Sequence, residues 1–343
     1  MSTKYYGPRD AKTIRNRYSI INIIRCLNGD ESVDVGFEAE ISRDLELARD
    51  KGNKNASPPR GFLIPSVALM RAFDKGTYGT GLVATDTTRD FISALASRTI
   101  LGRAGMDVIS GLRGDVKIPR EIAVETYWLD GENVNATEVT PTVDVKLATP
   151  HTCGCMTSIT RTLLEQTSGA AEDYVAQIVA KSIGRNIEKA CLNGTGNDGQ
   201  PLGILNTEGV QSVSLAGETI AKADVVEWVH KALDENADGA NAWITTPDVL
   251  KALRTTDDGH NHYLAENGMM EGYPLFASNL CPEGKMIFAD WSQLLLANWG
   301  ELDLVVDRRP NATSGGVRVL LLQDVDVVVK NPKAFVVGTA LAE

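Results

Sequence analysis

AAEDYVAQIVAKSIGRNIEKACLNGTGNDGQPLGIL, residues 170–205, decides the architecture of this chain. From Ala171 the apolar residues recur at Tyr174, Val175, Ile178, Val179, Ile183, Ile187, Ala190 and Cys191. Spacings of three and four predict one long helix with a buried stripe. Tyr174, Ile178, Ile183 and Ile187 are its expected core positions, while Glu172, Asp173, Gln177, Lys181, Arg185 and Lys189 occupy the other faces. Ser168 is the expected N-cap, and Glu172 and Asp173 place negative charge at the positive end of the helix dipole. About 22 residues rising roughly 1.5 Å each give a rod of about 33 Å.

The rod stops at Asn193-Gly194, since glycine just past the last periodic residue is a helix terminator. Gly194, Gly196 and Gly199 fit the G-x-G-x-x-G spacing of a dinucleotide-binding turn. That chemistry needs a strand before the glycines and a helix after them, so that the phosphates meet a helix N-terminus. Here a helix precedes them and Gln200-Pro201-Leu202-Gly203 follows, so the spacing predicts a helix cap and a tight turn. An α/β enzyme using this turn is the alternative from a different functional class.

On the N-terminal side, residues 1–60 begin basic (Lys4, Arg9, Lys12, Arg15, Arg17, Arg25) and turn acidic (Asp30 to Asp50). Ile20, Ile23, Ile24 and Leu27 are spaced for a short helix, and Phe37, Ile41, Leu45 and Ala48 for a second. Residues 53–60, with Pro58-Pro59, read as a linker. Gly61–Thr88 is glycine-rich and irregular, as in an arm ordered against neighbours. Phe91–Leu101 reads as a helix, and Met106–Ile109 as a strand.

Asp115–Thr149 predicts a long hairpin turning at Leu129-Asp130-Gly131-Glu132, because Asp-Gly is a strong hairpin signal. Its apolar residues are Ile122, Val124, Trp128, Val139, Val143, Val145 and Leu147. A two-stranded ribbon of this length cannot bury both faces in its own subunit. Trp128, Val124, Ile122, Val143 and Val145 are therefore the candidate inter-subunit contacts, with Trp128 as the anchor.

C-terminal to Leu205 helices and strands alternate. Ala223–Leu233 is an amphipathic helix, Ala242–Ile244 a strand, and Thr246-Pro247 an N-cap and first position opening a helix over Asp248–Arg254. Tyr273–Ala277, Met286–Ala289, Gln293–Ala297, Leu302–Val306, Val317–Lys330 and Ala334–Gly338 read as strands, with a hinge at Thr313–Gly316.

The whole chain has 343 residues, 43% apolar and 23% charged, with a net charge of −11. That is the composition of a globular protein and disfavours a broad nucleic-acid-binding surface, which needs many cations to neutralise phosphates. No apolar run reaches the roughly 18 residues a membrane span needs, and no secretory signal is expected. Five scattered cysteines are expected to be reduced thiols of a cytoplasm. Cys153 and Cys155 share one face of a strand with His151, and Asp257, Asp258, His260 and His262 crowd one loop near Glu266. Neither group has a second ligand pair at metal-site spacing, so no metal or cofactor is expected. No nucleophile-elbow, Walker A or H-E-x-x-H motif is present, and no catalytic residue is expected.

The long helix followed by LNGTGNDGQPLGIL, then WITTPDVLKALR, GYPLFASN, FADWSQLLLANWGELDLVVD and VRVLLLQDVDVVVKNPKAFVVGT in that order, resembles the major capsid proteins of tailed bacteriophages, which share the Hong Kong 97-type fold. The resemblance runs from Gly61 to Glu343. It implies an α+β fold with a spine helix, an extended hairpin loop overlapping the next subunit, and peripheral and axial domains. Residues 1–60 would then be a helical prepiece or scaffold-like segment and linker, 61–110 an arm and first helix, and 111–150 the extended loop. Residues 151–205 plus 317–343 would form the peripheral domain, and 206–316 the axial domain.

The implied function is a non-enzymatic shell protein of a phage or prophage, assembling through pentamers and hexamers into an icosahedral head around double-stranded DNA. Its partners would be itself, a maturation protease, portal and decoration proteins, and non-specifically the packaged DNA, with no membrane. Assembly would take place in the bacterial host cytoplasm. An encapsulin-like nanocompartment is the alternative with the same fold. Some family members crosslink a loop lysine to a neighbour's asparagine. The tip Leu129–Asn133 has no lysine, and Lys117 and Lys146 lie near the base, so that chemistry does not carry over.

Overall fold

The computed structural model describes residues 13–14, 17–30, 33–50, 61–65, 68, 99–119, 145–160, 169–215, 220–235, 239–256, 262–307 and 317–339. The hairpin tip with Ile122, Val124, Trp128, Val139 and Val143 lies outside them, as do the 53–60 linker, Asp257, Asp258, His260 and the Thr313–Gly316 hinge; the side chain of Tyr174 is also outside.

Along the chain, α1 (Ile20–Leu27) and α2 (Gly36–Asp50) precede β1 (Phe62–Ile64). Then follow α3 (Ile100–Ala104), β2 (Asp107–Ile109), β3 (Val116–Pro119), β4 (Val145–Ala148), β5 (His151–Ile159) and the long α4 (Gly169–Asn193). The remainder comprises β6 (Gln211–Val213), α5 (Lys222–Asp234), β7 (Asn241–Thr245), α6 (Pro247–Thr255), β8 (Met269–Met270), β9 (Tyr273–Ala277), β10 (Lys285–Asp290), β11 (Leu294–Asp307), β12 (Val317–Val329) and β13 (Phe335–Thr339). Helix starts follow local chemistry: the side chains of Ser19, Thr99 and Thr246 accept N–H bonds from the first turns of α1, α3 and α6.

Two large sheets and the separate β3-β4 pair divide these strands. The first runs β1-β11-β12-β5 with β2 parallel to β11, and the second runs β6-β13-β10-β7-β9-β8. The β11–β12 pair is the backbone of the first sheet. Sequence predicts two short strands for 293–306, but β11 is continuous and absorbs the Asn-Trp-Gly interruption as a bulge between Trp299 and Asp303. Gly300, at φ 80°, takes the left-handed conformation there. The buried Gln323 fills the gap, its Nε2 donating to Asn298 Oδ1 at 2.7 Å and to Gly300 O at 3.2 Å.

The expected domain boundaries need correction. β11, placed by sequence in the axial region 206–316, belongs to the sheet of β5 and β12. β13, placed with the peripheral residues 317–343, pairs with β10 and β6 in the other sheet. The chain changes sheets at two 3₁₀ turns, Trp291–Gln293 and Pro332–Ala334. Each opens on a side-chain cap, Asp290 accepting from Ser292 N and Asn331 from Lys333 N. Such short turns leave no compositional seam to read.

The N-terminal region also differs from expectation. The two helices exist, and they are packed into the core rather than standing apart from it. Ile20, Ile23, Ile24, Phe37 and Ile41 are buried in the same core cluster as Ile183 and Ile187 of α4. β1 completes the first sheet, with Phe62 opposite Leu304 and Ile64 opposite Leu302.

The second sheet encloses Trp228, Trp243, Phe288 and Phe335. Trp243 meets Phe288 at 4.5 Å between ring centroids and Trp228 edge-on at 5.8 Å. The indole N–H of Trp243 donates to Met270 O, and that of Trp291 to Ala242 O. These residues belong to the same core cluster as Ile183 and Ile187 of α4 and Leu304 of β11.

Candidate assembly surfaces

The described C-terminal part of α4 buries one side. Ile183, Ile187, Cys191 and Leu192 are buried, and Glu188 beside them accepts the N–H of Ile100 at 3.1 Å, tying α3 to the rod. Burial pushes the Glu188 carboxyl up, partly offset by that N–H, the N–H of Leu101 and the Arg185 charge. Ile178, expected on the buried stripe, is 38% exposed. At about 100° per residue, the nine positions back from Ile187 make two and a half turns, so Ile178 faces away from the core.

Beyond the rod, Gly194 N donates to Ala190 O (2.8 Å) and Gly203 N to Gly194 O (2.9 Å), while Asn206 Nδ2 donates to Gly194 O at 2.8 Å. Gly194 and Gly203 cross back to back: a Cβ on either would lie 2.6 Å from Ala190 O. The turn between them places Asp198 and Gly199 at φ 53° and 74°. Its amides close a helix C-terminus, so it offers no helix N-terminus to a phosphate.

The expected hairpin is present at its root. β3 and β4 pair antiparallel, with Val116 opposite Ala148 and Ile118 opposite Lys146. Val116, Ile118 and Ala148 pack on the outer face of the first sheet with Leu295, Ala297, Trp299 and Val328. Trp299 Nε1 donates to Gly114 O at 2.7 Å, and Leu112 N to Asn298 O. On the return side, Thr149 N donates to Asp326 Oδ2 at 2.9 Å, with His151 Nε2 3.8 Å from Oδ1. Burial raises the Asp326 carboxyl, though the N–H groups of Thr149 and Val327 and the nearby His151 oppose it. The ribbon thus leaves from a fixed base, and its outward residues Val145 (46%) and Leu147 (55%) remain exposed. Sequence reading missed Trp299; the alternation Leu295, Ala297, Trp299 was the signal for a second covered face.

β5 pairs only with β12 among the described strands. Its Met156 is 61% exposed on the face that carries Leu320 and Leu322 in the neighbouring strand. Apolar surface beside an open edge is where another chain can add.

Of the sequence's chemical candidates, Asp257, Asp258 and His260 lie outside the described residues. Cys153 and Cys155 alternate toward α4, where Asn186 Nδ2 meets Cys153 Sγ at 3.2 Å. Burial raises the Cys153 thiol, which disfavours the thiolate a metal needs. Burial likewise pushes Cys281 up to about 12. All five cysteines are free. His262 and Glu266 are exposed, 3.9 Å apart, on the rim of an open depression of about 410 Å³ that Lys222, Tyr263 and Met269 also line. Among the described residues no group of His, Cys, Asp or Glu could hold a metal ion, and no helix is long and apolar enough to cross a membrane.

The described residues thus form two sheets, a long rod packed on β5 and β12 of the first, and a paired hairpin root on that sheet's other face. Comparison with known proteins gives the family: the Phage capsid family model matches residues 79–340, and the chain belongs to that family. It is 31% identical over 341 residues to the major capsid protein of Halomonas phage phiHAP-1, covering 93% of this chain and 54% of that protein. It is 21% identical over 306 residues to the major capsid protein of Klebsiella oxytoca phage phiKO2, covering 80% and 71%. The chain thus spans about half the length of the first of these relatives. In fold it matches the capsid of the empty GTA particle computed with C5 symmetry, with TM-score 0.60 and 17% identity over 81% of this chain and 100% of that one.

Proposed function

We propose that this chain is the major capsid protein of a tailed phage or prophage, assembling through pentamers and hexamers into the icosahedral head that encloses double-stranded DNA. The observation that carries this is the ribbon root. Trp299 and Asp326 hold β3 and β4 against the sheet, while Val145 and Leu147 present an apolar face that this subunit leaves uncovered. Burial of that face by a neighbouring copy satisfies the hydrophobic effect that a lone ribbon cannot.

In this reading Ile122, Val124, Trp128, Val143 and Val145 form the contact, with Trp128 as anchor. The chain has no catalytic task. A maturation protease, the portal and decoration proteins would meet the assembled shell, DNA would be enclosed without sequence-specific contact, and assembly would take place in the host cytoplasm. The test is electron microscopy and size-exclusion of the expressed protein, with its protease or scaffold supplied. Capsomers or closed shells are expected, and a strictly monomeric species under all these conditions overturns the proposal.

A further inference from the structure

We propose that α1 and α2, packed on β1, are a permanent part of the subunit wall rather than a detachable assembly aid, and that they stay bound even when the chain is severed after α2. The family match begins at residue 79, so α1, α2 and β1 lie outside it. They are nevertheless built into the core. Ile23 and Ile24 are fully buried, Ile20, Ile21, Phe37 and Ile41 nearly so.

The polar contacts cross the same boundary. Ser19 N donates to Glu38 Oε1 at 3.2 Å, joining α1 to α2. Leu63 N donates to Ser42 Oγ at 2.9 Å, and Tyr18 Oη to Leu63 O at 3.2 Å, joining both helices to β1. The Arg17 guanidinium lies 4.7 Å over the Phe37 ring. β1 in turn donates its edge to β11 through Phe62, Leu63 and Ile64. Removing α1 and α2 would take Ile23, Ile24, Phe37 and Ile41 out of the core they share with Ile183 and Ile187 of α4, and removing β1 with them would reopen a sheet edge. A piece meant to depart is held by weak, solvent-exposed contacts; this one is held as a core element.

The test inserts a site-specific protease sequence between Lys54 and Asn55 of the full chain and cuts the dissociated subunit in native buffer. The two fragments are expected to co-elute on size-exclusion and to separate only in denaturant. Release of the N-terminal fragment in native buffer overturns the proposal, whatever becomes of the remainder. A second arm, which rests on the shell reading as the first does not, is mass spectrometry of DNA-filled heads. Peptides from Tyr18–Arg43 are expected in equal molar amount to those from Ile183–Lys189, and their absence overturns the proposal.

Discussion

Gly194→Ala and Gly203→Ala should be more damaging than Gly199→Ala. The three glycines share one turn but meet different surroundings. A Cβ on Gly194 would press on Pro201 O and lie 2.6 Å from Ala190 O; one on Gly203 would press on Gly194 N and lie 2.9 Å from Asn193 N. These are backbone atoms, so relief requires the last turn of α4 to move. Such movement sacrifices the Gly194–Ala190 and Gly203–Gly194 hydrogen bonds, at about 1 kcal/mol each, and disturbs the packing of the fully buried Cys191 and Leu192. The reduced freedom of the unfolded chain returns about 0.5 kcal/mol. The bonds less this gain leave about 1.5 kcal/mol, and the disturbed packing of Cys191 and Leu192 adds about 1.5 kcal/mol more, so the net loss is about 3 kcal/mol for either substitution.

Gly199 has nothing within 4 Å of a Cβ, and only its φ of 74° opposes a side chain, which costs about 1–2 kcal/mol. Thermal unfolding of dissociated subunits reads the difference, at roughly 2–4 °C per kcal/mol for a chain of this size. Gly194→Ala should melt roughly 6–12 °C low, or fail to accumulate as soluble protein, while Gly199→Ala melts roughly 2–8 °C low. Equal damage at Gly199, or none at Gly194 and Gly203, would show that the turn is not held by this crossing.

Ile183→Ala removes a fully buried side chain and should cost about 2–5 kcal/mol, whereas Ile178→Ala should leave the subunit's melting temperature within about a degree; the reverse order would place the wrong face of the rod inside. Trp299→Ala should destabilise by about 3–5 kcal/mol, and Trp299→Phe, which keeps packing and loses the bond to Gly114 O, by about 1 kcal/mol. A melting temperature unchanged in both would remove Trp299 from the ribbon root. Trp128→Ala should abolish shell formation, at about 2 kcal/mol or more per contact, with circular dichroism of the subunit unchanged; melting of the subunit itself would make Trp128 ordinary core.

Glu188 and Asp326 have folded values raised by burial, so their stabilising contribution is full below the ordinary carboxylate value and is lost as pH rises through the raised ones. Calorimetry should therefore show Glu188→Gln and Asp326→Asn gaining less stability than the parent between pH 7 and pH 5. An unchanged slope would refute it.

Legibility followed distance along the chain. The 3.6-residue period and the glycine stop located α4, and Thr246-Pro247 located the start of α6, because those signals act between neighbours. The stripe drifted at Ile178 because a five-residue gap to Ile183 turns the helix by more than a third of a circle. Strands β7 and β9–β13 were visible as apolar runs, but not their partners. β12 buries alternate residues against α4 while its other face is covered only beneath the ribbon, so a single pattern carries two environments. The bulge at Gly300 looked like a turn because Asn-Trp-Gly is turn chemistry, and only the continuous partner strand overrides it. Of the candidate contact site, the root strands were foreseen from Val143, Val145 and Leu147. Trp299 and Asp326 were not, because they reach the root from residues more than 170 positions away.

The strand order of the first sheet sets when the polypeptide can become a subunit at all. Phe62–Ile64 waits for Leu302–Leu304, and His151–Ile159 waits for Val317–Val325. At about 5–20 residues per second of translation, the early segments emerge tens of seconds before their mates exist. Until then the isoleucines of α1 have no finished core to enter. A ribosome that stops short of β12 therefore releases a chain that cannot close this sheet. Premature termination products are excluded from any assembly built on it, and completeness of synthesis is checked by the fold itself.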